Sequence, residues 1–403
     1  MRVVHVVKKF PVTSETFVSN HIAQCINAGI ECIILADIID KNSPAWATKS
    51  NVLIKDNAIL VSSRPKKSLS KIRKLASVLK MFVTNIKAAK YFFKSRNAKY
   101  GLLGSSFKLW LQVPSYYKLR NADVFHSHFG PLGERSAILK DLGVITSKTV
   151  VSFYGYDTFS SKTYQPDLKK NYGFLNTNTN VYITNSQYLK LNLISLGFPE
   201  KEIHVNHVGL DPTKFVSNKA KRSVVLQIVS LGRLIKLKGQ HLAIEALSQL
   251  KNPNISLSIL GDGEEMENLK SLVVKYKLES QVTFYGSVQE DTIIKVFNES
   301  HLFLMTSITD EHGRAEGQGL VTAEAQACGL PVIAMDSGGV GETILDKKTG
   351  ILIPENNVQA LVDAIKYLYD NEAKREELAS NTAKFIEGNF NQIKISEEIM
   401  KLY

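Results

Sequence analysis

Short apolar runs alternate with helix-patterned stretches along the whole chain, and this alternation limits the fold more than any other feature. In the first half the runs are RVVHVV, ECIILAD, ADVFHSH, KTVVSFYG and NVYITN. In the second half they are VVLQIVS, ISLSIL, VTFYG, LFLMT and PVIAM. Each is bounded by turn residues and is short enough for a strand. Helical stretches, including 16–28 and 187–196, separate them. Strands joined through helices pair in parallel, and their sheets are covered on both faces. The expected class is therefore α/β. A chain of 403 residues exceeds one ordinary core, so two series of strands imply two doubly wound domains. The sequence places an N-terminal domain at 1–207 and a linker at 208–223 (VGLDPTKFVSNKAKRS). A second domain follows at 224–371. A charged helical tail at 372–403, after the strand-like GILIP, is positioned to pack back on the first domain. Ligands of such sheets bind beyond the carboxyl ends of the strands, here in the cleft between the domains.

The net charge is +12, and it is unevenly spread. Residues 64–120 contain fifteen Lys or Arg and no Asp or Glu. Within them, SKIRKLASVLKMFVTNIKAAKYFFK (70–94) mixes basic and apolar residues at helical spacing. A basic amphipathic helix suits an anionic membrane surface. No recognised nucleic-acid motif accompanies the charge, so nucleic acid is not expected as a partner. The three cysteines, Cys25, Cys32 and Cys328, match no zinc spacing and make no disulfide framework; they are expected to be reduced and buried in a reducing compartment. MRVVHVVKKF reads as a strand rather than a signal peptide. No apolar run approaches the roughly 18–20 residues that span a bilayer. The expected location is cytoplasmic, peripheral on the inner face of the cell membrane.

The densest chemistry lies in AEGQGLVTAEAQACGLPVIAMDSGG (315–339). It reads as loop, helix start near Gly319, helix end at Gly329, and strand. Gly317 and Gly319 would allow close backbone approach. The helix start offers unpaired N–H groups and positive partial charge, suited to a diphosphate. Glu316 and Glu324 flank that point and would accept paired sugar hydroxyls. Elsewhere, Ser14, Glu15 and Thr16 open a helix and could meet a phosphate or acceptor, or Ser14 could serve as a helix cap. His126 and His128, two apart on a strand, project to one face. No third and fourth ligand of sensible spacing appears, so no metal is expected there. His128 is favoured for the cleft because the loop begins just after it.

EGQGLVTAEAQACGLPVIA (316–334) resembles the E-x7-E signature of glycosyltransferase family 4. VSLGRLIKLKGQHLAIEAL (229–247) resembles the family's GR-x5-KG segment. LGDGEE (260–265), VTFYGSV (282–288), HVNHVGLDPTKF (204–215), DVFHSHFG (123–130), SFYGYD (152–157) and ITNSQYL (183–189) fall in the family's order. FPVTSETFVSNHI (10–22) is similar to the subgroup that builds bacterial exopolysaccharides, capsules and lipopolysaccharide. The resemblance implies a GT-B fold of two Rossmann-like domains, with 1–207 binding the acceptor and 224–371 the nucleotide sugar. It implies metal-free, retaining hexosyl transfer from a nucleotide-sugar donor, with no cofactor. Arg233 and Lys238 would bind the diphosphate, where cations stabilise the leaving group. Glu316 would contact the donor sugar and Glu324 the ribose. A histidine of HSH, His126 or His128, would face the sugar, and Gly155 and Asp157 would line the cleft. The chain departs from the family pattern at Tyr154, where histidine is usual, at Gly319, where proline is usual, and in the first loop, which lacks a glycine pair. The expected acceptor is a growing, lipid-linked glycan, and a UDP-sugar is the favoured donor. A GDP-sugar-dependent transferase, a nucleotide-sugar epimerase of the same architecture and a non-catalytic glycan-binding module are the alternatives. A dehydrogenase is disfavoured because no G-x-G-x-x-G follows the first strand.

Overall fold

A computed structural model describes residues 1–63, 90–91, 94, 98–100, 109, 111–211, 213–218 and 225–403. Most of the basic segment 64–120 lies outside the described residues, including nearly all of the expected amphipathic helix 70–94.

Two all-parallel sheets form the two domains. The first contains β1 (Arg2–Phe10), β2 (Glu31–Ile39), β3 (Ile59–Ser62), β4 (Val124–His128), β5 (Lys148–Phe153), β6 (Val181–Thr184) and β7 (Ile203–Val205), in the order β3-β2-β1-β4-β5-β6-β7. The second contains β8 (Leu226–Leu231), β9 (Ile255–Leu260), β10 (Val282–Gly286), β11 (Leu302–Met305), β12 (Val332–Met335) and β13 (Gly350–Ile353), in the order β10-β9-β8-β11-β12-β13. Every inter-strand ladder is parallel. All ten apolar runs are strands. The chain direction reverses across the sheet between β1 and β4, and again between β8 and β11. These are the points where doubly wound sheets open a crevice at their carboxyl ends. Two strands escape the sequence pattern: β3 and β7, both at sheet edges. They are four and three residues long and only partly buried; β3 carries a short apolar run, Ile59–Val61, and β7 (Ile-His-Val) carries none.

Alternation on the buried strands sorts side chains to the two faces of each sheet. Val4 and Val6 of β1 pack with Tyr116, Phe125 and Leu139, while Val7 and Phe10 pack with Ile22, Cys25 and Ile34. The second sheet is likewise covered on both sides.

The chain crosses between the domains twice, and the crossings touch. Leu210 N–H donates to Phe390 O at 2.9 Å, and Gln392 N–H donates to Leu210 O at 3.1 Å. A Cβ on Gly209 would lie 2.6 Å from Gln392 Cα, so only glycine allows this approach. The second crossing divides the tail. Its first helix, Glu372–Asn389, buries Leu378 and Ile386 in the second domain. Its last helix, Gln392–Lys401, lies on the first, where Ile399, Met400, Leu402 and Tyr403 meet Val3, Cys25 and Val124. The described part of the linker makes contacts with the second domain. Phe215 is already part of the second domain's core, and Asn218 N–H donates to Asn298 Oδ1 at 2.6 Å. Among the described residues, no helix is long and apolar enough to cross a membrane.

Candidate active site

The site is assembled at the carboxyl ends of β8 and β11, facing the ends of β4 and β5. After β8, Arg233 is exposed, and the chain runs through the turn Lys236–Lys238 into the helix Gln240–Leu250. Gly239 starts that helix with φ of 62°. A Cβ there would lie 2.0 Å from Thr306 O, and Thr306 Oγ1 donates to Lys238 O at 3.1 Å. These contacts lock the β8 loop to the end of β11. The aliphatic part of Lys238 passes over Gly232, within 3.6 Å of where a Cβ would stand. Its ammonium reaches the carboxylate of Glu316 in a short ion pair. Both side chains are largely shielded, at 15% and 18% exposure. The two loops that resembled the family's donor-binding segments therefore converge on one point.

Glycines hold the Glu316 loop in place. A Cβ on Gly338 would lie 2.2 Å from Glu316 O, and one on Gly339 would lie 2.1 Å from Gly317 O. Gly339 N–H donates to Glu316 O at 2.8 Å. Gly317 faces the other domain: a Cβ there would lie 2.9 Å from Tyr154 O. Its missing side chain thus lets the two domains meet, a use the sequence did not show. Gln318 ties the same loop to the linker, accepting from Val208 N–H at 2.7 Å and donating to Val208 O at 2.9 Å. Gly319, at φ of 81°, opens the helix Leu320–Ala327 without a side-chain cap. The first-turn N–H groups thus have no capping side chain.

Glu324 is half-buried on that helix. Burial, then the nearby Glu290 charge, pushes its carboxyl up to about 7, against an opposing pull from Lys214. It feels the charges of Glu290 and Lys214, while Glu316 pairs with Lys238, so the two glutamates have different neighbours.

On the facing domain, Tyr154 is half-exposed and its ring packs on Phe17 and Phe129, with centroids 4.6 and 4.9 Å apart. His128 is fully buried, with Nδ1 2.9 Å from Tyr154 Oη and Nε2 3.2 Å from His5 Nδ1. His128 therefore connects to the cleft through Tyr154. His126 is also fully buried, bonded to Ser152 Oγ at 2.8 Å and to Tyr403 Oη at 2.7 Å. Both rings do project to one face of β4, stacked at 4.3 Å. Neither is exposed to the cleft. Burial first, then neighbouring histidines, drives both well below the usual histidine range, so they are neutral at pH 7.

Asp157 does not line the cleft. It is fully buried and accepts the backbone N–H groups of Gly130, Gly155 and Tyr154 at 2.9, 3.0 and 3.2 Å. It fixes the loop after β5 to the start of the helix Gly130–Asp141. Burial raises its carboxyl despite those bonds. Gly155 sits beside Gly317 at the domain contact. Ser14 and Thr16 are exposed, and Glu15 is half-buried at the start of the helix Thr16–Asn27. No side-chain cap forms there, so Ser14 is not the cap. Burial raises the Glu15 carboxyl, against Lys8.

Sequence reasoning missed His5, His21 and Tyr403. They lie beside His126 and His128 in one buried cluster, with His21 Nε2 2.7 Å from Tyr403 Oη. No spacing signals this group, because its members come from four distant segments.

Comparison with known proteins agrees with this geometry. The family described as "Glycosyl transferases group 1" matches residues 213–385. The colanic acid biosynthesis glycosyltransferase WcaL of Escherichia coli K12 is 30% identical over 420 aligned positions, covering 100% of this chain and 99% of the relative. The amylovoran biosynthesis glycosyltransferase AmsK of Erwinia amylovora is 30% identical, covering 97% and 96%. The crystal structure of HepE from Anabaena, in complex with UDP, superposes with a TM-score of 0.75 at 18% identity, covering 100% and 99%. The fold is the two-domain GT-B arrangement, and the chain belongs to the group 1 glycosyltransferases.

Proposed function

We propose that this glycosyltransferase moves a hexosyl group, with retention of configuration and without a metal, from a UDP-sugar to a growing, lipid-linked bacterial surface glycan. The observation that carries the reading is the meeting of Lys238 and Glu316 at one shielded point, beside the uncapped start at Gly319 and opposite Tyr154 and Gly155. A diphosphate fits the cations Lys238 and Arg233 and the helix N–H groups. Glu316 then holds hydroxyls of the donor sugar, and Glu324 those of the ribose.

As the glycosidic bond breaks, negative charge develops on the leaving diphosphate, and the two cations stabilise it. The leaving phosphate oxygen takes the proton of the attacking acceptor hydroxyl as the new bond forms on the same face. Tyr154, backed by His128, lies on the acceptor side of the cleft. The relatives named for colanic acid and amylovoran biosynthesis support a polysaccharide acceptor. The UDP complex of HepE supports the donor nucleotide. The charge of the basic segment 64–120 suits an anionic membrane surface and supports a location at the cytoplasmic face.

The test is thermal stabilisation by UDP and by GDP in EDTA, followed by release of free UDP with and without a lipid-linked acceptor. A saturating nucleotide adds about 2.7 kcal/mol at a hundred times its dissociation constant. Stabilisation by UDP in EDTA and acceptor-dependent UDP release are the expected results. Stabilisation by GDP alone would reassign the donor, and a requirement for a divalent ion would overturn the metal-free mechanism.

A further inference from the structure

Outside the cleft, the first βαβ unit gathers four side chains able to ligate a metal. His5 lies on β1, His21 and Cys25 on the helix Thr16–Asn27, and Cys32 on β2. His21 and Cys25 are four residues apart, so they share one helix face. Val3 pairs with Cys32 and His5 with Ile34 in the β1–β2 ladder, which puts His5 and Cys32 on the same side of the sheet. The helix covers that side. As a result, one ligand atom each from His5, Cys25 and Cys32 lies within 4.8 Å of the others, and all three residues are buried. His21 Nε2 is 3.6 Å from Cys25 Sγ and 2.7 Å from Tyr403 Oη, a bond that ligation would replace.

We propose that His5, Cys25 and Cys32, with His21 in the fourth position, form a site for a thiophilic divalent cation, best matched by Zn2+. Three observations support it. His5 Nε2 is buried and has no hydrogen-bond partner. Buried polar atoms rarely stay unpaired, and an imidazole nitrogen left so is aimed at something. The other His5 nitrogen, Nδ1, is held by His128 Nε2 at 3.2 Å. With Nδ1 as donor, Nε2 carries the lone pair, which is the outer-sphere arrangement that orients ligating histidines. The donor set is two sulfurs and two imidazoles, the tetrahedral set that selects zinc.

Bond lengths of about 2.3 Å to sulfur and about 2.0 Å to nitrogen call for ligand separations of roughly 3.3–3.8 Å. The ligand atoms of His5, Cys25 and Cys32, within 4.8 Å of one another, have to draw together to those separations, and His21 has to turn in to join them. Binding displaces the two thiol protons to solvent, and two thiolates plus Zn2+ leave the buried site neutral. Cys-x6-Cys is not a zinc-finger spacing, and the histidines come from different elements, so the set is invisible in the sequence.

The test uses the full chain without an affinity tag, stripped with chelator and kept reduced. Co2+ is added and excess ion removed. The expected result is one Co2+ per chain with a thiolate-to-cobalt charge-transfer band, displaced by Zn2+. The band is retained in Cys328→Ser and lost in the Cys25→Ser/Cys32→Ser double variant. Zn2+ should raise the melting temperature of the wild type and not of the double variant. Less than a tenth of an equivalent of ion bound by the wild type overturns the proposal whatever the variants do. A band that persists in the double variant overturns it as well.

Discussion

Glu342 of the second domain accepts the backbone N–H of Tyr188 in the first, at 2.9 Å, and that of Gln187 at 2.7 Å. Its carboxylate thus caps the helix Gln187–Ser195 from across the cleft, while Ser186 Oγ takes the Leu189 N–H within the first domain. A charge at a helix N-terminus with two N–H donors is favourable on both counts. The contact exists only while the domains are together, so it works as a latch. Thr163 and His312 form a second contact across the cleft, at 3.0 Å, but an exposed one.

Glu342→Ala removes that latch. Opening of the cleft should become easier by about 1–3 kcal/mol. Small-angle scattering should report a larger radius of gyration for the free variant, and kcat/KM should fall about 5- to 100-fold. Unchanged scattering and turnover would show that the cap does not govern closure.

Lys238 and Glu316 are paired, yet their proposed roles are separable. Lys238→Ala should abolish thermal stabilisation by UDP. Glu316→Ala should keep that stabilisation and lose transfer, by about 10²–10³-fold or more, the scale of removing one group aimed at the transition state. Wild-type turnover in Glu316→Ala would remove Glu316 from the sugar site.

Tyr403 holds His21 and His126 through one hydroxyl, at 2.7 Å each. Tyr403→Phe leaves two buried nitrogens without that partner. The first domain should lose about 1–3 kcal/mol in denaturant unfolding. The same variant tests the reach of the tail, because the helix Gln392–Lys401 is anchored on the histidine cluster at this residue. A midpoint equal to wild type would mean that the apolar contacts of Ile399 and Leu402 suffice.

Glu324 sets a pH dependence whose sign is fixed. Its carboxyl is raised from the ordinary 4.5 to about 7 in the folded chain. Between those values the folded state binds more protons than the unfolded, so stability falls as pH rises through that window. Glu324→Gln should therefore match wild type near pH 4.5 and exceed it near pH 8. At 1.36 kcal/mol per unit, discounted for partial solvent access, the gain is on the order of 1–2 kcal/mol. Melting curves of both proteins across this range measure it. A constant difference would show that Glu324 titrates normally.

The two sheets were legible because their signals are local. β1 or β11 announces itself within six or so residues, and a helix between two strands dictates parallel pairing. The motifs singled out Lys238 and Glu316, but not their ion pair. Each stands on a loop well beyond the end of β8 or β11, and only the shapes of those loops bring the two together. Edge strand β7 was not legible, because three partly exposed residues at an edge make no apolar run, whereas the short run Ile59–Val61 of β3 was there and was passed over. Asp157 was misplaced for a similar reason: a carboxylate after a strand reads as a cleft residue, and only the loop's shape shows three backbone N–H groups turned onto it.

The sequence by itself determined the α/β class, the two domains and the two motif segments that carry Lys238 and Glu316, since these follow from period, turn residues and motif over a few residues each. Tertiary structure alone decided what the histidines do. His5 and His126 become neighbours because β1 pairs with β4 in that register, across 121 positions of chain. His21 arrives on a helix above them, and Tyr403 returns from the far end after crossing the domain boundary twice. Parallel pairing and long crossovers bring together residues whose separation in sequence carries no trace of their contact, and that is where the buried histidine cluster, the domain latch and the proposed cation site all lie.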